Sequence, residues 1–295
     1  MSAGAIRVAY FGPAGTFTHE ALIGALDGSP DVAGIELVPL PTIYETVMAV
    51  QSGVAERALV PIENSLEGAV NATLDTLAME AEDVRIVGEV VHPIRHCLVA
   101  RTALELREIE AVVSHPQATA QCAAFIRTQL PQARVLAGGS TANAVRMVAE
   151  HTGPWAALGT QLAAERYGCR VLRRGVEDGP ENATRFVWLA RHDAGAEPPL
   201  PGATGGAGSR WKTSLVFWGA GSDAPGWLVR CLSEFADRGV NLTRIESRPL
   251  KQGLGSYMFF LDLEGQESEP HVAAALEAVR DHVEVLRGLG SFPAA

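Results

Sequence analysis

Along the first 190 or so residues, short apolar runs alternate with stretches in which apolar positions recur at helical spacing. Ile6–Phe11 predicts a strand, followed by a Gly/Thr-rich turn and a helix from about Thr18. Thr42-Ile43-Tyr44-Glu45 has the spacing of a capping box and predicts a helix start, with Val47 and Val50 turned inward. Residues 57–62 again read as a strand, and Leu66, Val70, Leu74 and Leu77 share one face of a following helix. The pairing recurs at 110–114 with 116–130, and at 134–136 with 140–150. Such alternation predicts an α/β fold with largely parallel sheets. Its length points to two α/β lobes around a cleft.

The last 85 residues have another rhythm. Strands are expected at 212–218, 240–247, 256–263 and 283–287, and helices at 226–238 and 270–282. In the first helix Leu228, Cys231, Leu232 and Phe235 form one stripe. The order βαββαβ is the ferredoxin-like unit. Between the two regions lies HDAGAEPPLPGATGGAGSR, where 12 of 19 residues are Gly, Pro or Ala, too poor in apolar side chains to join a core. The domain boundaries expected are therefore 1–192, a linker at 193–210, and 211–295. At ~150 residues per domain, the 295-residue length agrees with two domains. No repeat at fixed period runs along the chain.

Composition narrows the function classes. With 47% apolar and 20% charged residues, the chain has an ordinary globular make-up. Acidic residues exceed basic ones 34 to 24, a net charge of −10, which argues against non-specific binding to nucleic acid or anionic lipid. No apolar stretch approaches the ~20 residues of a membrane span, and residues 1–7 run into a strand without a signal-peptide core. Cys97, Cys122, Cys169 and Cys231 are scattered, as expected in a reducing cytoplasm. The eight histidines show no metal-binding spacing, and His92 and His96, flanking Pro93, are read as structural.

The candidate chemistry sits at strand-to-helix turns, where α/β folds bind ligands. Gly12-Pro13-Ala14-Gly15-Thr16-Phe17-Thr18 reads either as a capped tight turn or as an approach for an anion. In Pro61-Ile62-Glu63-Asn64-Ser65, Glu63 is equally a helix-start acid or a functional carboxylate. Ser114-His115-Pro116-Gln117 repeats the arrangement, with Gln117 and Gln121 one turn apart, and Gly138-Gly139-Ser140-Thr141 makes a fourth such turn. Arg185, in Asn182-Ala183-Thr184-Arg185-Phe186, is a natural carboxylate partner or a strand-edge arginine. Gly219-Ala220-Gly221-Ser222-Asp223-Ala224 fits a loose dinucleotide pattern, but Pro225 and Gly226 interrupt the helix start and the region is too short for a doubly wound fold.

Taken together, Gly12-Pro13-x-Gly15-Thr16-Phe17, Pro61-Ile62-Glu63-Asn64-Ser65, Ser114-His115-Pro116-Gln117, Ser140-Thr141-Ala142 and Thr184-Arg185-Phe186 resemble the prephenate dehydratase family. The back region, with Gly226-Trp227-Leu228-Val229 and Ile245-Glu246-Ser247-Arg248-Pro249, resembles the ACT regulatory domain that follows the catalytic domain there. The resemblance implies a two-lobed, periplasmic-binding-protein-like (type II) catalytic domain plus a βαββαβ ACT domain. It also implies decarboxylating dehydration of prephenate to phenylpyruvate in phenylalanine biosynthesis, without metal or organic cofactor. Because nothing helical precedes Arg7, the monofunctional version is expected rather than the one fused to chorismate mutase.

In this reading Thr184, Glu63 and Arg185 are the catalytic candidates: Thr184 donates to the leaving hydroxyl, Glu63 supplies the proton, and Arg185 grips the pyruvyl carboxylate. Thr16, Asn64, Ser65, Ser114, Gln117, Gln121, Ser140, Thr141 and Phe186 are expected to bind substrate. Phenylalanine is the expected effector, at Gly226, Trp227, Leu228, Val229, Glu246, Ser247, Arg248 and Pro249, with bulky Trp227 where the family has a small residue. An effector site shared across ACT domains implies a homo-oligomer, dimer or tetramer, with no nucleic-acid or membrane partner. Two alternatives are arogenate dehydratase and a non-catalytic amino-acid-sensing binding protein. The nicotinamide enzyme hinted at by Gly219 would need cofactor binding that survives loss of the front domain.

Overall fold

Strand β1 (Ile6–Phe11) runs parallel to β2 (Ile35–Leu40) and β3 (Arg57–Asn64), with helices α1 (Phe17–Leu26), α2 (Ile43–Gln51) and α3 (Asn71–Met79) in the connections. The computed structural model describes residues 5–26, 34–192, 210–219, 221 and 223–295, so all of the expected linker except Arg210 lies outside the described residues. The short β4 (Gly68–Ala69) pairs with β3, and β5 (Val84–Pro93) leads out of this first lobe. The second lobe holds β6 (Cys97–Ala100), β7 (Ala111–Ser114), α4 (Pro116–Gln121), α5 (Ala123–Gln129), β8 (Arg134–Ala137), α6 (Thr141–Glu150), β9 (Trp155–Gly159), α7 (Gln161–Arg166) and β10 (Arg170–Arg174). The chain then returns to lobe 1 as β11 (Ala183–Arg191).

The two lobes repeat one topology that the sequence does not display. Lobe 1 is ordered β2-β1-β3-β11-β5, and lobe 2, read in the matching sense, β8-β7-β9-β6-β10. In each order, four of the five strands run in one direction and the remaining one, β11 or β6, is antiparallel to both its neighbours. The orders are thus largely parallel, as the strand–helix alternation predicts, and the one reversed strand in each lobe arrives from a crossover between the lobes. Both lobes aim the C-terminal ends of their parallel strands at the groove between them, the position where such sheets bind ligands.

Local sequence explains most of the elements. Thr42 caps α2 by accepting from the Glu45 amide at 3.1 Å, as the predicted capping box requires, but the Glu45 carboxylate accepts from the Thr42 hydroxyl at 2.8 Å rather than from its backbone amide, so the reciprocal half of the box is replaced by a side-chain contact. Helix α3 begins later than the apolar spacing implies: Val70 is its N-cap, and Leu66 lies exposed in the preceding turn. The single helix expected over 116–130 is broken at Cys122, since the Asp178 carboxylate accepts from the amides of Ala124 and Phe125 and starts a new helix there. Gly15, at φ +92°, lets the lobes approach: a Cβ there would stand 3.1 Å from the Ala163 Cβ across the cleft.

The C-terminal unit is β12 (Trp211–Trp218), α8 (Trp227–Ala236), β13 (Leu242–Pro249), β14 (Tyr257–Glu264), α9 (Pro270–Arg280) and β15 (Val285–Pro293), an antiparallel sheet ordered β13-β14-β12-β15. One face packs under α8 and α9 through Leu215, Phe217, Leu261 and Leu263. The other lies on lobe 1, where Val216, Met258, Phe260, Leu289 and Phe292 join one core with Leu74, Leu77, Val187 and Leu189. Burial of each such side chain stabilises the docked state by about 1.5–3 kcal/mol. At Gly290 of β15 a Cβ would meet the Ile86 carbonyl of β5 at 2.1 Å, so the close approach of the two sheets requires glycine.

Candidate active site

The groove between the lobes encloses about 330 Å³. Its wall from lobe 1 includes Thr16, Phe17, Thr18, Asn64, Thr184 and Phe186; that from lobe 2 includes His115, Gln117, Gln121, Gly139, Ser140 and Thr141, with His96 on a crossover. None of its lining residues is Asp, Glu, Lys or Arg. Its polarity comes from hydroxyls, amides, two imidazoles and the N-termini of α1 and α6, one from each lobe, whose unpaired backbone N–H groups favour negative charge.

Strand register brings the central pair together. Thr184 of β11 stands opposite Asn64 of β3. The Asn64 Oδ1 accepts from the Leu66 and Glu67 amides at 3.0 Å each, which fixes its Nδ2 as the end facing β11. That Nδ2 has two hydrogens for three acceptors, Thr184 Oγ1 and Asn182 Oδ1 at 2.9 Å each and the Ala183 carbonyl at 3.1 Å, and as a donor-only group it can only donate to Thr184. Asn182 Nδ2 in turn donates to Gln121 Oε1 at 3.0 Å, and His96 Nε2 lies 3.1 Å from the same oxygen. The direction of every bond follows from the first. Thr184 Oγ1 and Gln121 Oε1 are both used as acceptors, so the Thr184 hydroxyl hydrogen and the Gln121 amide hydrogens remain for the cleft. Burial pushes the His96 imidazole below its ordinary pKa despite the Gln121 hydrogen bond and the Glu177 and Glu20 carboxylates, so the ring is neutral at pH 7.

Several predicted residues stand elsewhere. Successive strand residues face opposite sides, and Arg185 therefore points away from Thr184, against Glu89 (Nε to Oε2, 2.6 Å) and Asp262 of the C-terminal sheet (Nη1 to Oδ2, 2.5 Å). It cannot grip a carboxylate in the cleft. Glu63, opposite Arg185 in the register, shares that outer face and lies 3.6 Å from both Arg185 and Arg244, so the structure removes it from the proton-donor position. Ser114 is fully buried, its hydroxyl spent on the Leu158 carbonyl. Ser65 binds the Glu181 carbonyl and the Ala183 amide outside the cleft. Thr16, Asn64, Gln117, Gln121, Ser140, Thr141, Thr184 and Phe186 do meet there.

The sequence reading misses Asn182, His96 and His115. Asn182 is two residues before Thr184 and so falls on the same face, a period-2 signal that was available. His96 is the histidine read as structural; its partner Gln121 is distant in the chain and reaches it only because α4 ends at that glutamine.

In the C-terminal unit, Gly226, Trp227, Leu228 and Val229 border a recess of about 240 Å³ with Tyr257 and Phe259. Trp227 is itself a core side chain, edge-on to Phe217 and tilted against Phe259, with its indole N–H on the His282 carbonyl at 2.6 Å. Glu246, Ser247, Arg248 and Pro249 lie on β13, where Ser247 and Pro249 pair directly with Phe259 and Tyr257 of the recess wall, while Arg248 is committed in a two-pronged contact to Asp75 of α3, 3.0 Å for each prong. Within one copy none of the four lines the recess itself.

Two topologically matched lobes closing on a neutral, donor-rich cleft, with a βαββαβ unit docked behind one of them, define a two-lobed α/β enzyme carrying an ACT regulatory domain. Residues 8–194 match the family model for prephenate dehydratase and residues 216–281 that for the ACT domain. Over 292 residues the chain is 42% identical to a prephenate dehydratase of Amycolatopsis methanolica, covering 98% of this chain and 89% of that one. A prephenate dehydratase from Arthrobacter aurescens, solved in complex with L-Phe, superposes with a TM-score of 0.83 at 38% identity, covering 98% and 90% of the two chains. A protein described as a quorum-quenching acylase, GqqA, superposes at 0.82 with 33% identity over 98% of each chain. The chain belongs to the prephenate dehydratase family.

Proposed function

We infer that the cleft converts prephenate to phenylpyruvate through neutral hydrogen-bond donors rather than through a carboxylate–arginine pair. Prephenate carries two carboxylates and a ring hydroxyl. In the reaction the ring C–O bond breaks, the ring carboxylate leaves as carbon dioxide, its bonding electrons complete the aromatic ring, and the departing hydroxide takes up a proton to become water. The protein needs to bind a dianion and stabilise charge growing on the leaving oxygen. A cation held on the departing carboxylate would oppose its loss of charge, since that contact is stronger in the ground state than in the transition state. A cleft lined by no Lys or Arg meets this requirement, with the α1 and α6 N-termini placed to receive carboxylate.

The single observation that carries the assignment is the direction of the Asn64–Thr184 hydrogen bond. Because Asn64 donates, the Thr184 proton is directed to the leaving hydroxyl, while Gln121 and Gln117 orient the rest of the substrate. Incubating the purified protein with prephenate and following phenylpyruvate absorbance at alkaline pH tests the reaction, and parallel kcat/KM values on arogenate set the substrate preference.

Phenylalanine is the effector this reading assigns to the ACT domain, as in the L-Phe complex of the Arthrobacter protein. The outer edge of β13 pairs with no strand among the described residues, and Ile245, Tyr257 and Val229 are exposed near it, which supports pairing of two ACT sheets. Sedimentation equilibrium should then return a dimer or a multiple of one. No described helix is long and apolar enough to cross a membrane, and four unpaired cysteines fit a cytoplasmic setting.

A further inference from the structure

Arg185 touches nothing in the cleft, yet it follows Thr184 directly in β11. Its guanidinium closes on one carboxylate from each domain, Glu89 of β5 and Asp262 of β14. Lys212 of β12 also reaches Glu89, at 2.7 and 2.9 Å, and the Ser214 hydroxyl donates to the other oxygen of Asp262 at 2.5 Å. With Glu63 and Arg244 at the margin, three cations meet three carboxylates. Buried clusters of this kind add little net stability over apolar packing, but removing one partner strands a charge. Their best-attested use is to fix register.

Register matters at this position. Between Arg185 and Phe186 the pairing with β3 slips by one, leaving Ile62 as a bulge whose carbonyl turns out to the Val70 amide at 2.9 Å. Bulges adjust the aim of neighbouring side chains, and this one adjoins Thr184. The interface has a second tie, Arg248 to Asp75, which anchors the ACT sheet on α3 rather than on β11.

We propose that Arg185 is a positioning residue for prephenate turnover: it ties β11 to the ACT sheet, so that the placement of that sheet sets where the Thr184 hydroxyl stands. This rests on the dehydratase reading above, and it makes Arg185 the route by which the regulatory domain reaches the reaction.

The test uses the full-length chain carrying Asp262→Asn, Arg185→Lys or Asp75→Asn. It has two readouts, steady-state kinetics on prephenate with and without phenylalanine, and hydrogen exchange over residues 183–191. Asp262→Asn should lower kcat at least tenfold with KM within twofold, and should speed exchange over 183–191 at least tenfold without changing exchange in β1. Phenylalanine should still bind, by calorimetry, but no longer alter kcat. Arg185→Lys keeps the charge and loses the fork, so it should fall between wild type and Asp262→Asn. Asp75→Asn loosens docking elsewhere and should leave kcat within twofold. Wild-type turnover and exchange in both Asp262→Asn and Arg185→Lys would overturn the proposal, as would an Asp75→Asn loss equal to that of Asp262→Asn. If the wild-type protein forms no phenylpyruvate, the reaction assignment fails instead, and the exchange readout alone decides the coupling.

Discussion

The two faces of the β3–β11 pair differ in almost every physical respect. On the cleft side stand Asn64, Thr184 and Phe186, all uncharged, the first two joined by a hydrogen bond whose direction is set by backbone amides. On the other side, displaced by one residue each, stand Glu63 and Arg185, charged and bound to the ACT sheet. A tripeptide such as Thr184-Arg185-Phe186 therefore serves two tasks at once, and adjacency in the chain says nothing about shared function when the chain is extended. The lesson is that a strand motif is read two residues at a time.

Substitutions on the two sides should separate the tasks. The largest effect is expected for Thr184→Val, which keeps the shape and removes the donor: kcat should fall by about 10³-fold, within the range for a lost proton-donating group, while KM stays within a few-fold. Next comes Asn64→Asp. The carboxylate still accepts from the Leu66 and Glu67 amides but turns the bond to Thr184 around, so that Thr184 donates to it and not to substrate. A loss of about 2–3 kcal/mol, roughly a hundredfold in kcat, is the expected cost. A near-normal rate in that variant would remove the donor polarity from the mechanism.

The charged face makes a different kind of prediction. Burial alone would raise the Asp262 carboxyl, but the Arg185 guanidinium, the Ser214 hydroxyl and Arg244 outweigh it and hold it below the ordinary 3.8. Asp75 is likewise raised by burial and lowered further by Arg248 and Lys251. A carboxyl depressed on docking contributes stability above its free pKa and loses it as pH falls through the docked one. Docking should hold from pH 7 to about pH 4 and weaken only below the ordinary aspartate range, read as faster exchange over β5 and β15 with little change in β7. Loosening between pH 7 and 5 would contradict this ion-pair account. The smallest effect is reserved for Glu63→Gln. Glu63 is 39% exposed and its two contacts are long, so kcat should stay within about threefold of wild type.

Much of this arrangement was legible beforehand. The helix start capped by Thr42 and the βαββαβ order follow from spacing and turn chemistry, whereas the gathering of Thr16, Gln121 and Thr184 at one groove was implied by the family resemblance. What was not legible had physical causes. The lobes share a topology without sharing a sequence period, because strand order is set by long-range pairing. The break at Cys122 depends on Asp178, 54 residues from the Ala124 amide that it caps. Neighbours in a motif separate when the motif is a strand: alternation along β3 and β11 sends Glu63 and Arg185 to the far side and brings Asn182 to the face of Thr184.

The division of labour between the two faces is tested most directly by a crystal structure of the protein with phenylpyruvate bound. The ligand should lie in the groove with Thr184 Oγ1 and Gln121 Nε2 among its nearest polar neighbours, and with Arg185 still on Glu89 and Asp262. A ligand carboxylate held by the Arg185 guanidinium, or touched by Glu63, would contradict it.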